Sequence, residues 1–155
     1  MIIPTRDRAK LLEMTLEALL KQQYPEDRFE IIVVDDGSTD DSPDRVRKIQ
    51  AMAPGRVRYL SQPPVGASKA RNLGLKEAQH ELVFLFDDDI VSEPDLVAQH
   101  VATHQRHNTN RDVAVVGYSR WPLEEKITTF LDYIGEWGPQ FGYRFMREGD
   151  ELSFS

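Results

Sequence analysis

The chain has 155 residues, of which 40% are hydrophobic and 29% charged, a length and apolar content that predict one domain with a sizeable core. Its formal net charge of -7 argues against a general nucleic-acid-binding surface, so we expect no nucleic acid among its partners. Because it contains no cysteine, no membrane-length apolar run and no signal-peptide pattern, we expect a cytoplasmic protein without a membrane span, a peripheral position at the membrane being the alternative.

Apolar runs alternate with amphipathic stretches along the chain. Such alternation is typical of an α/β fold in which helices cover a parallel sheet. The fourth run, 82–86, is apolar on both faces, which predicts a strand in the centre of the sheet. In chain order we predict strands at 1–3, 29–34, 57–60, 82–86 and 113–118, and helices that begin near residues 7, 42, 67 and 92.

Acidic side chains directly follow two of these strands. Asp35 and Asp36 follow the second strand, and Asp87, Asp88 and Asp89 follow the fourth. All strands of a parallel sheet end at the same edge, where α/β folds bind their ligands. We therefore expect these carboxylates to share one cleft. Because adjacent like charges repel, we also expect a positive group among them.

Carboxylate oxygens are hard ligands, which favour Mg2+ or Mn2+ over zinc or copper. Magnesium is usually held by one or two protein carboxylates, and substrate phosphates complete its shell. Basic residues that could face an anionic ligand follow the first strand, at Arg6, and open the third helix, at Lys69 and Arg71. The cleft thus predicts a divalent cation, Mn2+ or Mg2+, together with a diphosphate.

Four motifs, in this order and spacing, resemble those of the family 2 glycosyltransferases. The resemblance is strong over about residues 1–105 and weaker beyond. It implies the GT-A (Rossmann-like) fold, a three-layer α/β sandwich with a mostly parallel central sheet, here incomplete at its C-terminus. The motifs are IIPTRDR at 2–8, EIIVVDDGSTD at 30–40, GASKARNLG at 66–74 and LVFLFDDD at 82–89.

The resemblance also implies two regions and a site for the donor base. Residues 1–118 would bind the nucleotide-sugar donor, and 119–155 would begin an acceptor-side region that is truncated. Pro4, Thr5 and Arg6 would line the pocket of the base. Asp36 would accept a hydrogen bond from a base imide nitrogen, which favours uracil or thymine over guanine.

The remaining motif residues would bind the rest of the donor. Lys69 and Arg71 would face the base or the diphosphate. Asp87 would contact the ribose, and Asp89 together with Asp87 would bind the metal. Asp88 could replace Asp89, since three consecutive acids leave the register open.

The implied reaction transfers a sugar, with inversion, from a UDP or dTDP sugar to a hydroxyl of a saccharide or lipid-linked acceptor. Such a transferase would serve polysaccharide biosynthesis in the cell envelope. An inverting enzyme needs a general base. The acidic run Glu148-Gly149-Asp150-Glu151 has the wrong glycine order for the family's base segment. We therefore expect the base to be absent from this chain, which would leave it inactive alone.

Three other functions fit parts of the pattern. A haloacid dehalogenase-like phosphatase also has an Asp-x-Asp motif after an apolar strand, as at Asp87 and Asp89, but there the motif opens the chain. A receiver-type signalling domain combines an acidic pair with a later Asp, but its pair follows the first strand. A non-catalytic nucleotide-binding fragment is the third alternative.

Overall fold

The structure, a computed structural model, describes residues 1–107 and 114–121. The chain divides into two compact units, 1–111 and 112–155. The described elements all lie in the first unit: β1 (Ile2–Thr5), α1 (Ala9–Leu19), a 3-10 turn (Glu26–Arg28), β2 (Ile31–Asp35), α2 (Ser42–Met52), β3 (Val57–Ser61), α3 (Ala67–Glu77) and α4 (Leu96–His107).

The three strands form a parallel sheet in the order β1-β2-β3. The register pairs Thr5 with Asp35 and Asp35 with Ser61, so the strands end level with one another. The predicted parallel α/β architecture is confirmed. Its consequence is that the loops after β1 and β2 begin side by side.

Successive residues of a strand point to opposite faces of the sheet. Because the residues of β1 and β2 are buried on both faces, helices cover the sheet on each side. On one face Ile3, Ile31 and Val33 form a buried cluster with residues of α1 and α2, including Leu12 and Val46. On the other face the sheet residues Ile2, Ile32 and Val34 pack with Ala70 of α3. The result is the three-layer arrangement expected from the resemblance.

A glycine lets α3 lie close against the sheet. A Cβ atom at Gly74 would lie 2.4 Å from Cγ2 of Ile2 and 3.3 Å from Cγ2 of Val34. Any larger residue would push α3 away from β1 and β2. This close approach holds α3 against β1 and β2.

The segment 82–86 differs from its prediction as a strand. It meets β1 through one parallel bridge, Ile2 with Leu85, in which Ile2 donates to Phe84 at 2.9 Å and Phe86 donates to Ile2 at 3.0 Å. Leu82 and Leu85 are 41% and 50% exposed. Within residues 1–107 and 114–121 the segment pairs with β1 alone. The segment forms a single bridge rather than the predicted strand, and its place in the centre of the sheet stays a prediction.

The described residues of the second unit, 114–121, form no regular secondary structure. The strand predicted at 113–118 is therefore wrong for residues 114–118, and residue 113 lies outside the described residues. None of the helices in the described ranges is long and apolar enough to cross a membrane.

Candidate functional site

Thr5, the last residue of β1, joins the two acidic groups. Its carbonyl oxygen accepts a hydrogen bond from the Asp36 amide at 2.9 Å, and its Oγ1 donates to Oδ2 of Asp88 at 2.7 Å. All three residues are buried. The carboxylates that follow β2 and the segment 82–86 thus meet at one edge of the sheet, as the parallel topology predicts.

Asp36 anchors the loop that leads into α3. Its Oδ1 accepts from Gln62 Nε2 at 2.7 Å and from the Val65 amide at 2.9 Å, and its Oδ2 accepts from the Gly66 amide at 2.8 Å. These hydrogen bonds, of which the one from the Val65 amide has the largest effect, lower the pKa of Asp36 and keep its carboxylate ionised. Since a carboxylate has about four acceptor positions, Oδ2 retains one for a further donor.

Asp35 serves the turn after β2 rather than the cleft. Tyr59 donates its hydroxyl to Oδ2 at 2.5 Å, and the Ser38 amide donates to Oδ1 at 2.7 Å. Burial, together with this bond to Asp35, raises the pKa of Tyr59. Gly37 completes the turn at φ 79°, and a Cβ there would lie 2.8 Å from Cδ of Pro64. The turn is therefore packed against the loop that Asp36 anchors.

The acidic triplet divides into one inward and two outward side chains. Asp88 points inward, and each of its oxygens accepts a bond, Oδ2 from Thr5 and Oδ1 from Arg8 Nη1 at 3.0 Å. The side chains of Asp87 and Asp89 are 60% and 44% exposed. Asp87 pairs with Arg71 Nη2 at 2.9 Å through one oxygen. The outward pair has the spacing of the expected Asp-x-Asp motif.

Arg8 supplies the positive charge that the triplet requires, and the sequence reasoning missed it. Its Nη1 lies 3.0 Å from Oδ1 of Asp88 and 2.8 Å from Oδ2 of Asp89. Hydrogen bonds to Asp89 and then to Asp88 raise the pKa of Arg8. Its position in the sequence could have indicated this role, because Arg8 immediately precedes α1 and so lies at the edge where the strands end.

The predicted basic residues occupy different parts of the edge. Arg6 is exposed and lies 3.7 Å from Oδ2 of Asp7, and its charge contributes to the lowered pKa of Asp36. Arg71 is paired with Asp87, as described. Lys69 is exposed, and the described ranges provide no hydrogen-bond or ion-pair partner for its amine. Pro4 is buried within β1 opposite Val34, so its ring packs in the sheet.

A second residue missed from the sequence, Asp7, ties the loop after β1 to the loop after β2. Its Oδ1 accepts from the Thr39 amide at 2.6 Å and its own amide donates to Ser38 Oγ at 2.9 Å. The Thr39 amide is the main cause of the lowered pKa of Asp7. Asp7 has φ 52°, a conformation that aspartate tolerates better than most residues. The two loops therefore hold each other in place.

The outward carboxylates at this edge fit a divalent cation that takes most of its ligands from a bound phosphate compound rather than from the protein. Among residues 1–107 and 114–121, no group of three or more histidine or acidic side chains could hold a metal by itself. Asp87 and Asp89 point outward and offer hard carboxylate oxygens. One or two carboxylates completed by phosphate oxygens is how Mg2+ is commonly bound.

Comparison with known proteins identifies relatives of this chain. The family pattern described as Glycosyl transferase family 2 matches residues 1–151. Chondroitin synthase of Escherichia coli is 30% identical over 137 residues, which cover 87% of this chain and 19% of that protein.

Two solved structures share the fold. A mannosyltransferase from Pyrobaculum calidifontis, in complex with GDP-Man and Mn2+, gives a TM-score of 0.62 at 33% identity, over 64% of this chain and 30% of that one. Staphylococcus aureus TarS 1–349 in complex with UDP gives 0.64 at 26% identity, over 76% and 37%. The present chain thus spans less than two fifths of each of the three proteins.

Proposed function

The chain belongs to glycosyl transferase family 2, and we propose that it forms the donor-binding part of an inverting, metal-dependent glycosyltransferase. The donor is a nucleoside diphosphate sugar, with UDP or dTDP as the nucleotide. The observation that carries the proposal is the double contact of Thr5, whose main chain bonds Asp36 and whose side chain bonds Asp88. Thr5 thereby links the carboxylate proposed to bind the base with the triplet proposed to face the diphosphate.

Asp36 is proposed to recognise the base. As an ionised acceptor with one position left on Oδ2, it suits the imide N–H of uracil or thymine. As the family motif implies, Pro4, Thr5 and Arg6 would line the pocket of the base, the buried Pro4 and Thr5 through their main chain and the exposed Arg6 through its side chain. The UDP complex of TarS supports a uridine nucleotide, whereas the GDP-Man complex of the mannosyltransferase makes guanosine the competing choice.

Asp87 and Asp89 are proposed to bind the ribose and the divalent cation, Mn2+ or Mg2+. When bound, that cation acts as a Lewis acid for the charge that develops on the departing diphosphate. Asp88 is the less suitable ligand, because its two oxygens already accept bonds from Thr5 and Arg8. Lys69 and Arg71 open α3 and would add positive charge on the diphosphate side.

The acceptor side of the reaction is proposed more broadly. The acceptor would be a saccharide or a lipid-linked hydroxyl, and no residue is proposed as the general base. Glu148, Asp150 and Glu151 lie outside the described residues. A cytoplasmic location stays a prediction. A non-catalytic nucleotide-binding fragment would share the donor site and differ in transferring no sugar.

Nucleotide binding tests the proposal directly. We expect UDP with Mn2+ at 100 times its dissociation constant to add about 2.7 kcal/mol to the free energy of unfolding. For a domain of this size the melting temperature would rise by about 5–10 °C. Scanning calorimetry with UDP, dTDP and GDP, each with and without Mn2+, measures the rise and ranks the bases.

Two variants distinguish the site from a general charge effect. Asp89→Ala should abolish the Mn2+-dependent part of the rise. Asp44→Ala removes the same charge from α2, where the Asp44 side chain is 70% exposed, and should leave the rise intact. A rise of equal size in Asp89→Ala, or none in the unmodified protein, would refute the site assignment.

A further inference from the structure

Arg8 holds two members of the acidic triplet through a single guanidinium nitrogen. Nη1 donates to Oδ1 of Asp88 at 3.0 Å and to Oδ2 of Asp89 at 2.8 Å. The Arg8 side chain is 47% exposed, so it lies between the buried carboxylate and the solvent-facing one. Its positive charge therefore occupies the outer face of the triplet.

The two carboxylates depend on Arg8 to different degrees. Asp88 has a second partner in Thr5 and its side chain is only 8% exposed. Asp89 is 44% exposed, and within the described ranges Arg8 is its only hydrogen-bond or ion-pair partner. Arg8 can thus leave Asp89 while it stays bonded to Asp88, which would keep the guanidinium close by.

We propose that Arg8 is a built-in counter-cation that competes with the divalent cation for Asp89. The inference rests on the metal role proposed above for Asp89. In the absence of donor, Arg8 neutralises Asp89 and keeps the triplet from repelling itself. Binding of the cation with a nucleoside diphosphate separates Arg8 from Asp89. Arg8 therefore lowers the affinity of the protein for the cation in the absence of nucleotide.

The test is the affinity for Mn2+ in the absence of nucleotide, measured by isothermal titration calorimetry. Removal of the competing charge in Arg8→Gln should tighten Mn2+ binding by roughly three- to fivefold, the upper part of the range expected for a partly exposed ion pair. Arg47→Gln is the matched control, since it removes one positive charge from an exposed pair on α2 and should change the affinity less than twofold.

Two outcomes of this titration would overturn the inference. Equal or weaker Mn2+ binding by Arg8→Gln, when the unmodified protein binds Mn2+, overturns this inference and leaves the proposed function standing. If neither protein binds Mn2+ even with UDP present, the metal role of Asp89 fails and the inference fails with it.

A second measurement on the unmodified protein avoids any dependence on the folding of the variant. Nuclear magnetic resonance can follow the Nε–H signal of each arginine while Mg2+ and UDP are added. The signal of Arg8 should move as Asp89 is released, whereas that of Arg47 should stay in place. An Arg8 signal that does not move at saturating Mg2+ and UDP overturns the inference.

Discussion

Asp88 is a buried carboxylate whose position depends on one hydroxyl from β1. Thr5 Oγ1 donates to Oδ2 at 2.7 Å, and the residues lie 83 positions apart in the chain. Because both residues are almost fully buried, water cannot easily replace a lost donor. The contact is thus both a structural bond and the link between β1 and the triplet.

Thr5→Val tests this contact, since valine keeps the shape and removes the hydroxyl. We expect the free energy of unfolding to fall by about 1.5–3 kcal/mol, the usual range for a hydrogen bond to a charged group. Urea denaturation with an unchanged m-value would measure the loss. Thr103→Val is the control, because its exposed bond to the Gln99 carbonyl should matter by less than about 0.5 kcal/mol.

At the scale of elements, Gln22 connects the end of α1 to the start of α4. Its Nε2 donates to Ser92 Oγ at 3.1 Å and to the Glu93 carbonyl at 2.7 Å. Its Oε1 accepts from the Val97 amide at 2.9 Å, which satisfies a free N–H of the first turn of α4. The chain between the acidic triplet and α4 is therefore fixed by a residue 70 positions earlier than Ser92.

Gln22→Met should loosen this connection. The substitution keeps the volume but leaves the buried Val97 amide without its acceptor, so we expect a loss of about 1–3 kcal/mol in the free energy of unfolding. Gln23→Met is the matched control, because the exposed Gln23 contacts Pro94 only through its main-chain amide. If the two variants were equally stable in urea, Gln22 would not hold the start of α4 to the end of α1.

For the whole molecule, several ionisable groups link stability to pH in the same direction. The amides around Asp36 lower its pKa from the ordinary 3.8, and the Val65 amide has the largest effect. Burial raises the pKa of Glu30, but hydrogen bonds from Gln79 and Arg58 outweigh it and lower the pKa from 4.5. Burial lowers the pKa of His100 from 6.5, and the centroid of its ring lies 4.2 Å from that of the Phe84 ring.

We expect the free energy of unfolding to decline on acidification in two stages. Each of these groups binds protons more readily in the unfolded chain, so its stabilisation exists above the unfolded pKa and disappears as pH falls through the folded one. Of these three groups, His100 should contribute to the decline below about pH 6.5, and Glu30 and Asp36 should steepen it below about 4.5. Urea midpoints between pH 7 and 3 would show both stages.

Two substitutions separate the stages. His100→Gln should flatten the first stage, and Asp36→Asn should reduce the slope of the second. A protein that became more stable between pH 6 and pH 4 would contradict the assignment of these groups.

The sequence alone was sufficient for the order of the three paired strands and the four α-helices, the parallel sheet and its acidic edge. The reason is that apolar periodicity is local, as in the buried stripe Leu12, Leu16 and Leu19 of α1. Once the strands are parallel, topology brings Asp36 and Asp88 to one edge without any further information. The family resemblance added proposed roles for these residues.

Only the tertiary structure decided which charged groups meet and which way they point. Arg8 and Asp88 are 80 residues apart, and no local pattern marks them as partners. Three consecutive aspartates look alike in sequence, yet Thr5 draws Asp88 inward and leaves Asp87 and Asp89 facing out. The same holds for segment 82–86, because its apolar residues predict a strand but form a single bridge with β1. Pairing across distant parts of the chain depends on the packed arrangement, which periodicity and composition do not encode.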